Sequence, residues 1–170
     1  APHFEKMLYD QALLVHAYLD AYVMTDDIKY ANVAHEIITY VLRDMTSEAG
    51  GFYSAEDADS QGEEGTFYLW KLEEFTDILG EEDGRFMIDI LNIIDSGNWR
   101  DGKTHKTNIP HRTKSWEQIS KKYSMSINDS KALYEKSRIK LFSEREKKVH
   151  PQKDDKILTD WNGLMISAIS

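Results

Sequence analysis

Apolar residues recur at Phe4, Met7, Leu8, Ala12, Val15, Tyr18, Leu19 and Tyr22, a spacing that predicts a helix of about five turns over 4–22. Leu14 and Ala21 add a second line that widens its apolar face. The polar stretch TDD at 25–27 reads as a short turn carrying an N-cap. A cleaner repeat follows through Tyr30, Ala31, Ala34, Ile37, Ile38, Val41, Leu42 and Met45, and Gly50 with Gly51 stops it. Two long helices joined by so short a turn lie antiparallel.

Beyond the glycines the pattern changes. FYS at 52–54 and TFYLW at 66–70 are rich in aromatic and β-forming residues, and predict two short paired strands with an acidic loop between them. Helical spacing returns over 72–79 and 82–94, broken at Gly80, and again over 116–123 and 130–147; the stretch 95–113, with Gly97, Gly102 and Pro110, is irregular. Pro151 ends the last of these helices, QKDDK makes a polar turn, and LTDWNGLMISAIS is apolar again to Ser170. That final stretch has no C-cap, so the expectation is a piece of a longer protein with exposed apolar surface where other elements belong. GGFY at 50, GNW at 97 and WNG at 161 punctuate the helices in a rhythm that a ring of α-hairpins, with its loops gathered at one end, would produce.

The 170 residues are enough for one ordinary domain that buries roughly 70% of its unfolded surface. Hydrophobic residues at 41% and charged residues at 30% belong to a globular chain, and no apolar run is long enough to span a bilayer. A net charge of -9 argues against nucleic acid, whose binding needs a basic face. The one basic cluster, REKK at 145–148, is interleaved with Glu144 and Glu146 and reads as a solvated helix face. The absence of cysteine excludes thiol chemistry and disulfides within this stretch, and with no signal peptide at its start it fits a reducing, cytoplasmic compartment. NDS at 128–130 matches a glycosylation sequon, but Asn128 reads as a helix-start residue.

The candidate chemistry lies in the acidic loop, where Glu56, Asp57, Asp59, Glu63 and Glu64 crowd between apolar anchors. Asp57, Asp59, Gln61 and Gly62 mimic the first positions of an EF-hand, but Tyr68 stands where a bidentate Glu is required, and no metal site is expected. The histidines form no i, i+4 pair; His16 and His35 fall within helices, while His3, His111 and His150 sit in or beside connections where a binding or catalytic role has room. Carboxylate acid/base chemistry needs two acids with separated pKa values. In extended backbone Asp57 and Asp59 face one way and Glu56 the other, so the natural partner comes from another loop, Asp154 or Asp155. The alternative is structural, with these acids paired to Lys6, Lys153 or Lys156. Phe52, Tyr53, Phe67, Tyr68, Trp70 and Trp161 flank the acids as sugar-stacking faces or simply as core. Nothing resembles a nucleotide loop or a serine elbow.

Three stretches, PHFEKMLYDQA at 2–12, YVLRDMTSEAGGFYSAEDADSQGEEGTFYLW at 40–70 and DDKILTDWNGLMISA at 154–168, closely resemble the thioredoxin-domain-containing YyaL family, relatives of the spermatogenesis-associated thioredoxin-like protein. The resemblance implies an all-α fold: part of an (α/α)6 toroid of helical hairpins, six-hairpin-glycosidase-like, with a small β-hairpin at 52–70. Residues 1–170 would be one fragment of that toroid, in a parent chain that also carries an N-terminal thioredoxin-like domain as its partner. Motif positions carried over to the toroid mouth are His3, Glu5, Lys6, Tyr9, Asp10, Tyr53, Glu56, Asp57, Asp59, Asp154, Asp155, Lys156, Trp161 and Asn162. The expectation is a carbohydrate-like substrate handled by Asp57 and Asp155, with His3 and Glu56 beside them. Tyr53 and Trp161 would be stacking walls, His3 and Asn162 would orient hydroxyls, and Glu5, Asp10, Asp59 and Asp154 would contribute to binding; no cofactor is implied. The alternative is a non-catalytic scaffold serving the thioredoxin-like domain.

Overall fold

A computed structural model describes residues 4–99 and 106–170; His3 lies outside them. In chain order the elements are β1 (Lys6–Met7), α1 (Leu8–Thr25), α2 (Ile28–Asp44), β2 (Ala55–Glu56), β3 (Asp59–Ser60), β4 (Glu63–Glu64) and α3 (Leu72–Leu79). Then come α4 (Glu81–Ile90), α5 (Trp116–Tyr123), α6 (Ile127–Arg145), β5 (Lys153–Asp154) and α7 (Thr159–Ile169). The protein is mostly helical, with strands of two residues each. The chain divides into two compact units: Gly65–His150, and the chain up to Glu64 together with Pro151–Ser170. No helix among the described residues is long and apolar enough to cross a membrane.

In the second of these units α1 and α2 form the expected antiparallel hairpin, with the Tyr18 and Tyr30 rings 6.3 Å apart near its turn. Asp27 is the N-cap of α2, its carboxylate accepting from the Lys29 N–H at 3.1 Å. Leu8, Ala12 and Val15 of α1 pack on Ala34, Val41 and Met45 and on Met165 and Ala168 of α7. Val15, Val41 and Met165 are wholly buried, and each contributes about 1.5–3 kcal/mol. Leu14 and Leu13 stay exposed, as do Val23, Met24, Leu164 and Ile166, so the widened face of α1 is not part of this core.

Three expectations are corrected here. The first helix starts at Leu8, because Lys6 and Met7 pair with Glu56 and Ala55 as the edge of a small antiparallel sheet. The second stops at Asp44, several residues before the glycines; Gly50 and Gly51, at φ +91° and +82°, instead turn the chain back so that Phe52 bridges Thr46. The strands at 52–54 and 66–70 do not pair with each other. The loop between them supplies the pairing: β2 lies between β1 and β5, and β3 pairs with β4 across Gln61–Gly62. Both turn residues have positive φ (58° and 78°), the signature of a two-residue type I′ hairpin, so the EF-hand-like spacing serves a turn and not an ion loop.

In the Gly65–His150 unit, Phe75, Leu79, Phe86, Met87, Ile90, Ile119 and Leu141 form the core with Trp70. Trp70 bridges Asn108, whose wholly buried amide also holds the backbone of Ile94. Asn128 stands at a helix start, in the first turn of α6, whose cap is Ser126, accepting from the Asp129 N–H at 3.0 Å. One further expectation changes. The basic cluster at 145–148 is not a uniformly solvated face. Arg145 lies over the Phe67, Tyr68 and Phe142 rings, and Lys148 donates to the Leu69 carbonyl above the Trp70 ring. Burial pushes the Lys148 ammonium down from its ordinary range, whereas Lys147 stays exposed beside Glu144.

Candidate functional site

The small sheet brings distant acids together. β2 is held on one side by β1 and on the other by β5, in the registers Lys6–Glu56 and Glu56–Lys153. Beside it the Asp57 N–H donates to the Gln152 carbonyl at 2.8 Å, and Ser54 donates through both N–H and Oγ to the Asp154 carbonyl, each at 3.1 Å. Around this edge Glu5, Asp57, Asp154 and Asp155 line an open depression of about 430 Å³, with Lys153, Lys156, Met7, Ala55 and Gln152 completing the wall. Four carboxylates thus face two lysines.

Both lysines are engaged. Lys156 Nζ grips both oxygens of Asp154 at 2.8 and 2.7 Å, and this hydrogen bonding holds the Asp154 carboxyl below the usual carboxylate range. Lys153 Nζ donates to the Asp44 carbonyl at the end of α2, where helix carbonyls lack intrahelical partners. Asp57 is exposed, and its Oδ1 accepts from the Asp59 N–H at 3.0 Å, which fixes its rotamer. Asp155 is exposed and lines the same depression. Among the described residues no group of three or more His, Asp or Glu side chains is arranged to hold a metal ion.

The other sequence-predicted residues fall elsewhere. Glu56 is buried at 3% exposure and pairs with Lys6 Nζ at 3.0 Å, on the face of β2 opposite to Asp57. The Asn162 amide is taken up by backbone: Oδ1 accepts from Phe52 N–H at 2.7 Å, and Nδ2 donates to the Phe52 and Leu158 carbonyls at 3.0 Å each. Trp161 packs edge-on against Tyr9, ring centres 4.8 Å apart, on the helical core; neither it nor Tyr53 lines the depression. Asp10 is exposed in the first turn of α1, where a carboxylate suits the helix dipole, and Asp59 is exposed on β3. His111 and His150 belong to the Gly65–His150 unit: His111 Nδ1 donates to the Ile109 carbonyl, leaving Nε2 to accept from Asn92, and His150 packs on Phe67. Gln152, Ala55 and Met7 line the depression without having been expected there; Met7 was read as part of a helix face, and the strands that place all three are too short to show a pattern.

No protein-family model matches the chain. Its sequence is similar to spermatogenesis-associated protein 20 of mouse, 35% identical over 189 aligned positions that cover 99% of this chain and 24% of that protein. The human protein of the same name is 34% identical, covering 98% and 24%. A Caenorhabditis elegans protein described as uncharacterized is 31% identical, covering 99% and 26%. The chain therefore spans about a quarter of the length of the curated relatives it matches, and the similarity runs through both compact units.

Proposed function

We propose that the acidic depression binds a carbohydrate-like, polyhydroxyl substrate and that Asp57 and Asp155 act on it as an acid/base pair. The observation that carries this reading is the convergence of four carboxylates, from three separate stretches of chain, on one open concavity. Asp154, held ionised by Lys156, adds a fixed negative charge to the wall beside Asp155. Asp57, presented by the backbone bond to Gln152, supplies the other member. Substrate hydroxyls would find acceptors on every side of such a wall, and an amino sugar would gain from its excess of negative charge. The helical hairpins that carry the depression form, in this reading, part of an (α/α) toroid in a longer chain that includes a thioredoxin-like domain. Glu56, Trp161 and Asn162 support the wall from behind.

The test is thermal unfolding of the parent protein with a panel of sugars and amino sugars, beside the Asp57→Asn and Asp155→Asn variants. Ligand at a hundred times its dissociation constant adds about 2.7 kcal/mol to the folded state, a visible rise in midpoint. A rise with one sugar class, lost in both variants, supports the reading. A cooperative transition that no compound moves would overturn it in favour of a non-catalytic scaffold.

A further inference from the structure

The Gly65–His150 unit has a concavity of its own, about 270 Å³ in volume, to which the acidic depression contributes nothing. Trp70, Phe75, Met87 and Leu141 are its most deeply buried lining residues, each less than a tenth exposed. The charged groups among its described lining residues are two arginines, Arg138 and Arg145, one face of α6. A cavity with an apolar floor and cations at its edge calls for an amphipathic anion.

The two arginines are not equivalent. Arg138 is half exposed and already meets Glu135 through two bonds of 2.6 and 2.9 Å, so its charge is answered locally. Arg145 is only 24% exposed and lies between the Phe67, Tyr68 and Phe142 rings at 5.0, 5.4 and 5.0 Å. Its Nε is buried with no acceptor, and the Glu146 carboxylate stands 3.4 Å from Nη2. Aromatic faces offset part of the cost of withdrawing a guanidinium from water, but the unfilled Nε donor keeps it short of the interactions it had there. An incoming anion would meet a partly desolvated cation whose field is poorly screened. Glu135 neutralises Arg138 closely, whereas Glu146 reaches Arg145 only through one longer contact to Nη2, so the residual positive charge is less than one unit and matches a monoanion better than a phosphate dianion.

We propose that this concavity is a binding site for a small monocarboxylate with an aromatic or branched aliphatic body, its head on the outer nitrogens of Arg145 and its body over Trp70 and Leu141. The volume lies at the small end of ligand sites and admits one ring or a short branched chain. A planar carboxylate also fits the guanidinium fork as a neutral amide does not.

Isothermal titration of the protein with phenylacetate and 4-methylpentanoate, beside the neutral isostere phenylacetamide, tests this. Both acids should bind with a Kd of about 1 mM or tighter, as ten or so heavy atoms in a matched pocket allow. The amide should bind about tenfold more weakly, the contrast between a charge-assisted and a neutral pair. Arg145→Gln should erase that contrast and leave acid and amide alike. Equal affinity of acid and amide for the unaltered protein would overturn the assignment, as would no heat from either acid. Should Arg145→Gln fail to fold, the acid-to-amide comparison on the unaltered protein still decides the matter.

Discussion

Replacing Asn162 by alanine separates a scaffold residue from a ligand residue. Asn162 is 7% exposed, and its amide supplies three hydrogen bonds to backbone, two of them to Phe52 in a strand-like bracket. Gly51, at φ +82°, lets the chain come this close, since a Cβ there would lie 3.3 Å from Asn162 Oδ1 and 3.1 Å from Ile157 Cγ2. Alanine leaves the Phe52 N–H and C=O without partners, while the Leu158 carbonyl keeps its helical bond from the Asn162 N–H. At about 1–3 kcal/mol for each orphaned group, reduced by the water that half-buried Phe52 can recruit, the loss is about 3 kcal/mol. That corresponds to a midpoint lower by roughly 6–12 °C for a chain of this size. Urea and thermal unfolding followed by far-ultraviolet circular dichroism measure it. Asn162→Asp should cost at least as much at neutral pH, because a carboxylate cannot donate to two carbonyls. A loss below about 0.5 kcal/mol for the alanine variant, within the range of ordinary surface changes, would refute the bracket and return Asn162 to the ligand.

Lys6→Met should destabilise the protein by about 1–3 kcal/mol, since it removes the lysine that pairs with the buried Glu56 carboxylate, and adding Glu56→Gln should recover part of the loss in a double-mutant cycle of urea unfolding. Gly84→Ala should cost about 1–3 kcal/mol despite alanine's better helix propensity, because its Cβ would lie 2.9 Å from the Phe75 carbonyl oxygen and the Thr76 Cα; an unchanged urea midpoint would mean that α3 and α4 separate freely. Burial opposes ionisation of Asp89, but bonds from Lys114 and Lys122 outweigh it and hold the carboxyl below its ordinary 3.8. A depressed carboxyl contributes stability that is complete above the unfolded value and lost as pH falls through the folded one. Asp89→Asn should therefore lower stability at pH 7 and flatten the decline on acidification below about pH 4; equal slopes for variant and parent would contradict this.

The helices were legible because burial imposes a 3.6-residue period over many turns, and α3 and α5 lie where that period puts them. The strands were not. Each is two residues long, too short to show alternation, and β1, β2 and β5 join residues separated by 50 and about 100 positions. TFYLW has a strand's composition, yet its aromatics are core: Trp70 packs on Phe75, and Phe67 is buried beneath Arg145. The same partnership explains why the basic cluster misled. Aromatic faces from a loop some 80 residues away take in Arg145 and Lys148, and charge spacing along one helix carries no trace of them.

The acids divide by parity. Glu56 and Asp57 are neighbours in sequence, and one step along an extended backbone sends the first into the protein onto Lys6 and the second to the open depression. That much was readable from EDAD alone, and the depression that Asp57 faces is lined by Asp154 and Asp155 as well. What distinguishes these two was not readable, because it depends on the length and reach of Lys156, which binds Asp154 and leaves Asp155 as the exposed acid. Residue type therefore overcounts a polar site. Glu56 and Asn162 have the chemistry of ligand-binding groups, but their charge and amide are satisfied by an ion pair and by backbone, and a group so satisfied holds the wall in place instead of meeting what binds to it.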